Sequence, residues 1–187
     1  LVKNITAQNR YSSIWTDAST SNTDFTIIDN DFRNSGFYHN ESYGAVRLED
    51  VHENFIRGGI FMNNNQFENY RMALFFRDMK DITIGDETHP TANVILPTTL
   101  TDFASFNVAP IFMRNCANVL VEGLDLSYDA ASAAAGTGFH ISNDTDSYDN
   151  IIVKNCIIDN RVRGIYARGG SDVEIYSNTF YGSGTGD

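Results

Sequence analysis

Aromatic and charged residues recur at matching positions in six short runs of alternating apolar residues. The first set of matching positions reads Trp15, Arg47, Phe75, Phe112, His140 and Tyr166. The second set, two residues further along each run, reads Asp17, Glu49, Arg77, Arg114, Ser142 and Arg168. Aromatic rings give flat apolar contact to sugar rings, and the guanidinium fork of arginine matches carboxylate or sulfate groups. The pattern therefore predicts a groove for an acidic polysaccharide.

Both sets have a structural alternative. The aromatic set could be covered by an inserted segment or by a partner chain. Glu49 and Arg77 could form a surface ion pair that contributes less than about 1 kcal/mol. Arg77 and Arg114, at matching positions of consecutive runs, favour a binding role over a structural one. Two stacked guanidinium groups repel each other unless an anion or a nearby acid compensates them.

Two reactions on an acidic polysaccharide would use different residues. β-Elimination needs neutralisation of the uronate carboxylate, often by Ca²⁺, and a lysine or arginine as the base. Hydrolysis needs a pair of carboxylates, for which the candidates are Asp17, Glu49, Asp50, Glu53 and Asp78. His52 and His140 are further candidates for acid–base work, and each has a structural role as its alternative. The residues leave open whether the protein is an enzyme.

An acidic loop at residues 143–150 is the candidate metal site. Asp144, Asp146 and Asp149 would supply oxygen ligands of the kind that Ca²⁺ takes. The loop lacks the glycine and the terminal glutamate of an EF-hand, and its alternative is a solvated turn. Calcium is the one cofactor that the sequence predicts.

A repeat along the chain would bring these residues together. Short strands rich in β-branched and aromatic residues are predicted to start at Phe25, Ile60, Ile82, Val119, Ile151 and Val173. The same spacing separates Ile151 from Val173 and Ile60 from Ile82, and it suits one turn of a parallel β-solenoid. The other spacings are longer, which places insertions at residues 36–44, 50–58, 86–107 and 129–136.

Two further columns support the repeat. Seven positions after five of the strand starts comes a large apolar residue: Phe32, Phe67, Leu126, Ile158 and Phe180. Ile82 is the exception, because His89 falls at that position and an insertion begins there. Five positions after three of the starts come Asn30, Asn65 and Asn178. Asparagine suits a solenoid corner, where it tolerates left-handed dihedral angles and can bond the equivalent residue of the next rung.

The repeating unit resembles the right-handed parallel β-helix of the pectate lyase-like superfamily, over nearly the whole chain. The run from Arg47 to Glu49 and from Ala73 to Arg77 is also similar to the site of the chondroitinase B/alginate lyase family. That resemblance implies that Arg77 takes the place of the family's arginine and that Glu49 lies among the calcium-side acids. The family's catalytic lysine has no counterpart, and Arg47 is the basic residue nearby. Lyase, hydrolase and non-catalytic functions all occur on such a fold.

Composition restricts the partners. A net charge of −11 argues against a general nucleic-acid surface, and no apolar run is long enough for a membrane span. The two cysteines, Cys116 and Cys156, are too few for a disulfide framework and are predicted to be buried thiols. The chain starts inside a strand and ends without a polar cap, so we expect further β-helix rungs or other chains at its ends.

The sequence thus predicts an all-β, right-handed parallel β-helix of about seven rungs with loop insertions, as one domain over residues 1–187 that is a segment of a longer chain or assembly. The predicted function is an extracellular or surface module that engages an acidic polysaccharide, with lyase or hydrolase chemistry left open. The alternative is a structural or adhesive shaft, such as a segment of a surface fibre, an adhesin or a phage tailspike.

Overall fold

The protein is described from a computed structural model, and every regular element of its described residues is a β-strand. The described residues are 1–10, 12–17, 25–35, 44–49, 60–63, 65–68, 72–85, 93–95, 109–127, 137–144, 149–159 and 163–181. Over these ranges, no helix of a length and apolarity suited to crossing a bilayer is present. The segments named above as insertions lie mostly outside the described residues.

The strands form three sheets. The first sheet contains β1 (Val2–Lys3), β4 (Phe25–Ile28), β7 (Ile60–Asn63), β10 (Lys80–Gly85), β13 (Ala117–Glu122), β16 (Asp149–Lys154) and β19 (Ser171–Tyr176). The second sheet contains β2 (Thr6–Arg10), β5 (Asp31–Ser35), β8 (Gln66–Glu68), β11 (Asn93–Ile95), β14 (Leu124–Asp125), β17 (Ile157–Asp159) and β20 (Thr179–Tyr181). The third sheet contains β3 (Ile14–Asp17), β6 (Val46–Glu49), β9 (Leu74–Arg77), β12 (Ile111–Arg114), β15 (Thr137–Ser142) and β18 (Arg163–Arg168).

Among the described residues all strand pairs are parallel, and each strand pairs with the equivalent strands of the adjacent rungs. The chain therefore winds through the three sheets in turn, and the described residues make seven rungs. The predicted strand starts are in register, from Phe25 through Ile60, Ile82, Val119 and Ile151 to Val173. The predicted parallel β-helix is confirmed.

The core lies inside the coil and is built from columns of equivalent residues. In the third sheet the inward positions Val46, Leu74, Ile111 and Phe139 are stacked in register and are fully buried. Because side chains alternate along a strand, the residues next to these inward positions in each strand lie on the outer face of the sheet.

The second sheet differs from the prediction at its fourth rung. Its inward column includes Phe32 and Phe67, whose rings stack with centroids 5.0 Å apart. At the fourth rung the position aligned with Phe67 is taken by Ile95, and His89 lies outside the described residues. The predicted insertion at residues 86–107 therefore contains β11, and the second sheet continues through this rung.

Side chains of asparagine tie neighbouring rungs together at the corner between the first and second sheets. The buried side-chain oxygen of Asn65 accepts hydrogen bonds from the backbone N–H and the side-chain amide of Asn30, at 3.3 and 2.9 Å. The amide of Asn65 donates to the carbonyl oxygen of Ile27 at 2.8 Å. At the other end of the coil, Asn178 accepts from the backbone N–H of Cys156 at 2.9 Å. The predicted bonding between rungs is confirmed.

The left-handed residue at this corner is the one before the asparagine. Asp29, Asn155 and Ser177 have φ angles of 57°, 54° and 54°, whereas Asn30 and Asn178 do not have positive φ. The prediction that the asparagine itself adopts the left-handed conformation was therefore wrong. At this corner the first residue turns the chain, and the asparagine that follows it forms hydrogen bonds with buried backbone groups.

Both cysteines are free and buried, as predicted. Burial raises the pKa of the Cys116 thiol to about 12 and that of the Cys156 thiol to about 11. Both thiols are therefore protonated at neutral pH, which makes them poor nucleophiles. They serve as small core residues.

Candidate functional site

The third sheet places the two predicted sets of residues in register on its outer face. Trp15, Arg47, Phe75, Phe112, His140 and Tyr166 form the first column. Asp17, Glu49, Arg77, Arg114, Ser142 and Arg168 form the second. We call these the aromatic column and the charged column.

The aromatic column is buried in its middle. Phe75 is 3% exposed, Phe112 is 7% exposed and His140 is 6% exposed. Their rings contact one another, with centroid distances of 5.7 Å between Phe75 and Phe112 and 4.5 Å between Phe112 and His140. Met72, Phe75 and Phe112 form an apolar cluster separate from the core inside the coil. An open groove therefore does not run along the whole column. In these middle rungs the column is covered, which is the structural alternative that the sequence left open.

The two ends of the column reach the surface. Trp15 is 55% exposed, and the guanidinium carbon of Arg47 lies 4.7 Å from the centroid of its indole. At the other end, the Tyr166 ring packs edge-on against His140, with centroids 4.8 Å apart. The guanidinium carbon of Arg163 lies 5.0 Å from the centroid of the Tyr166 ring. Each end thus combines an aromatic ring with an arginine, the arrangement of a cation–π contact.

The three predicted catalytic residues lie together in an ionic cluster in which Arg47 and Glu49 are buried and the Arg77 side chain is 28% exposed. Glu49 is 2% exposed and forms an ion pair with Arg47. Its other carboxylate oxygen lies 3.9 Å from Nε of Arg77. Asp78, which has a φ of 55°, places a carboxylate oxygen 3.3 Å from the same Nε. Two acids and two arginines therefore compensate one another in this cluster.

The two neighbouring arginines of the charged column each have an acidic partner within the protein. Arg77 is compensated by Glu49 and Asp78, and Arg114 is compensated by Asp144. The repulsion between neighbouring guanidinium groups therefore requires no external anion. The surface ion pair considered for Glu49 and Arg77 does not describe this cluster either, because Glu49 is buried.

The pairing of Arg114 with Asp144 is the main ionic contact at the other end of the charged column. Nε and Nη2 of Arg114 donate to Oδ2 of Asp144 at 3.2 and 3.0 Å, and the side-chain amide of Asn115 donates to the same oxygen at 3.3 Å. The hydrogen bonds from Arg114 are the largest cause that holds the pKa of Asp144 below its usual range, and the positive charge of Arg168 acts in the same direction. Asp144 is thus a carboxylate that contacts one guanidinium group and is stabilised by the charge of a second.

The predicted calcium ligands are not brought together by the described residues. Asp144 is engaged by Arg114, Asp146 lies outside the described residues, and so does the side chain of Asp149. Over the described ranges, no group of three or more His, Cys, Asp or Glu side chains could hold a metal ion. Calcium binding by this loop stays a prediction.

Sequence reasoning missed two features of this region. Asp144 was assigned to a metal site, although it lies beside Ser142, the residue in register with Arg114. Arg163 was not considered, although it begins β18 and its guanidinium reaches the Tyr166 ring. Alternation signalled neither, because Asp144 lies beyond the end of β15 and because residues three apart, such as Arg163 and Tyr166, are expected on opposite faces of a strand.

Comparisons with known proteins support the fold. The family model described as right handed beta helix region matches residues 101–186. Searches of curated proteins and of solved structures gave no match. The matched residues include three consecutive rungs in which every strand pair is parallel. The family match and the parallel pairing together support a right-handed parallel β-helix as the fold of this chain.

Proposed function

We propose that the protein is a carbohydrate-interacting β-helix whose third sheet binds an acidic polysaccharide through Arg114, Tyr166 and Arg168. We call these three residues the anion patch. Arg168 is exposed, and the described residues include no ion-pair partner for it. An exposed arginine of this kind on a chain with a net charge of −11 is the observation that carries the proposal. Because its side chain is exposed, an external anion can reach it and bind through paired N–H donors.

The spacing within the anion patch suits a polymer. Arg114 aligns with Ser142, and Ser142 aligns with Arg168, so the two arginines are two rungs apart. Neighbouring parallel strands are about 4.8 Å apart, which separates the two positions by about 10 Å. This is comparable to the length of a disaccharide, so the arginines could bind acidic groups on alternate sugars. Tyr166 lies on the same face, two residues before Arg168, and offers a ring for apolar contact.

Binding is favoured over catalysis by the state of the predicted catalytic residues. Arg47, Glu49 and Arg77 direct their charges at one another and at Asp78. A general base must be able to reach the substrate proton directly or through one water. Catalytic roles for Arg47, Glu49 and Arg77 therefore stay predictions, as does the likeness to the chondroitinase B/alginate lyase family. Acidic polysaccharides are found outside cells, which is why the proposal includes an extracellular or surface location.

The proposal is tested by titrating the protein with alginate, polygalacturonate and chondroitin sulfate in a calorimeter. We expect at least one to bind and Arg168→Gln to weaken that binding roughly five- to tenfold, the loss of one charge-assisted contact. Arg33→Gln is the matched control, because Arg33 is an arginine of the second sheet that pairs with Asp31. Formation of unsaturated products in the same samples, measured by ultraviolet absorbance, would add lyase activity to the proposal.

The proposal fails if none of the three polymers binds, or if Arg33→Gln weakens binding as much as Arg168→Gln. A structural shaft is the second candidate, and it is favoured by the burial of Phe75 and Phe112, which removes the middle of the aromatic column from any ligand. Absence of glycan binding together with self-association in sedimentation velocity would support the shaft.

A further inference from the structure

Asp144 occupies the part of the anion patch where an acidic group of a ligand would bind. Its Oδ2 accepts from both Nε and Nη2 of Arg114. The backbone N–H of the preceding residue, Asn143, donates to the carbonyl oxygen of Arg168 at 2.8 Å, which places Asp144 beside that arginine. The carboxylate of Asp144 therefore takes the position that the proposed function assigns to a carboxylate or sulfate of the polymer.

We propose that Asp144 is a specificity-determining residue of the anion patch, an internal anion that a polymer must displace from Arg114. The inference rests on the proposed function, since it concerns the affinity of the same surface for acidic polymers. Binding then exchanges one anion for another at Arg114. Asp144 lowers the affinity for every acidic polymer and lowers it most for those that carry the highest density of charge.

The geometry of the pair favours this exchange. Both donors of Arg114 share a single oxygen, and Oδ1 of Asp144 accepts no hydrogen bond in the part of the chain that the structure describes. Arginine binds carboxylates best when each of two N–H groups has its own oxygen. A uronate carboxylate or a sulfate that approaches from solvent can offer two oxygens, so it would replace a poorer contact with a better one.

The pair is also accessible to solvent. The side chains of Arg114 and Asp144 are 47% and 51% exposed. Ion pairs in such positions contribute little to stability, because water and salt screen them. Breaking this pair therefore opposes ligand binding only weakly, as an exchangeable contact requires.

The carboxylate of Asp144 is separable from the structural role of the residue. The backbone N–H of Asp144 donates to the side-chain oxygen of Asn115 at 2.9 Å, and this bond does not involve the carboxylate. An asparagine at position 144 would keep the backbone bond and would remove the negative charge. Asp144→Asn therefore tests the negative charge while it keeps the backbone hydrogen bond to Asn115.

Glu174→Gln is the matched control for the change in net charge. Glu174 is exposed and aligns with Ile152 on the outer face of the first sheet, away from the anion patch. Both variants raise the net charge by one. Any gain in affinity that both variants share is the general electrostatic effect, and the gain that Asp144→Asn shows alone belongs to the contact with Arg114.

The experiment measures the affinities of the wild type, Asp144→Asn, Glu174→Gln and Arg168→Gln for polygalacturonate and for dextran sulfate. We expect Asp144→Asn to bind both polymers about two- to fivefold more tightly than the wild type, the range of one exposed ion pair. The gain should be larger for dextran sulfate, the more densely charged polymer. Glu174→Gln should differ from the wild type by much less.

The outcomes separate the two proposals. If Arg168→Gln weakens binding but Asp144→Asn binds no more tightly than Glu174→Gln, the proposed function stands and the role of Asp144 is wrong. If neither the wild type nor Asp144→Asn binds either polymer, the anion patch itself is wrong. Binding by Asp144→Asn to a polymer that the wild type does not bind would support both.

Discussion

Replacing Glu49 by glutamine is expected to lower the free energy of unfolding by about 3–5 kcal/mol, the range for breaking a buried ion pair by removing one partner. Glu49 is buried and pairs with Arg47. Its removal leaves the guanidinium of Arg47 without that carboxylate in a place where little water can reach it. Arg77 would keep Asp78 as its acid. Urea denaturation followed by circular dichroism gives the measurement.

Glu174→Gln is also the control for the effect on stability. It removes the same charge from an exposed position and should change the free energy of unfolding by less than about 0.5 kcal/mol. The double variant Glu49→Leu with Arg47→Met should be more stable than Glu49→Leu alone, because it replaces both members of the buried ion pair by apolar side chains. A loss below about 1 kcal/mol in Glu49→Gln would contradict the structural role of Glu49. It would then return Glu49 to the candidates for catalysis.

Replacing Gly85 by alanine should lower the free energy of unfolding by about 2–5 kcal/mol, which adds a left-handed backbone penalty to an overpacking penalty. Gly85 has a φ of 96° and ends β10. A Cβ at this position would lie 1.8 Å from the carbonyl oxygen of Glu122 on the next rung. Because that oxygen belongs to the backbone of a paired strand, relief would require the two rungs to move apart. The melting temperature should fall by about 5–15 °C.

Gly123→Asn is the matched control for Gly85→Ala. Gly123 has a φ of 67°, and the equivalent corner of the next rung is occupied by Asn155, with a φ of 54°. Asparagine tolerates this conformation, so we expect Gly123→Asn to change the free energy of unfolding by less than about 1 kcal/mol. Equal stability of Gly85→Ala and the wild type would contradict the close approach of the two rungs.

The register of the rungs was predictable from the sequence. Parallel strands whose inner face is buried repeat their apolar residues at every other position, and slippage by one residue would bury the polar set. The run from Ile14 to Asp17 therefore aligns with the run from Val46 to Glu49, as the alternation predicted. Left-handed corners were predictable in kind, because few residues other than Asn, Asp and Gly adopt that conformation.

Features that depend on segments of unequal length were not predictable. β11 restores the second sheet after a stretch without a repeat signal, so Ile95 could not be assigned to its column. The burial of Phe75 and Phe112 occurs outside the repeating coil, and an outward position in a strand does not say what covers it. The partner of Arg114 was missed because Asp144 lies just beyond β15, where alternation no longer gives the direction of a side chain.

The claim that the third sheet binds an acidic polysaccharide is tested most directly by nuclear magnetic resonance of the arginine side chains. The Nε–H signals of Arg114, Arg168 and Arg33 would be followed while the acidic polymer that binds best, cut to short oligosaccharides, is added. We predict that the signals of Arg114 and Arg168 shift and saturate together, whereas the signal of Arg33 in the second sheet stays in place. Unchanged signals of Arg114 and Arg168 under saturating ligand would contradict the claim, as would an equal shift of Arg33.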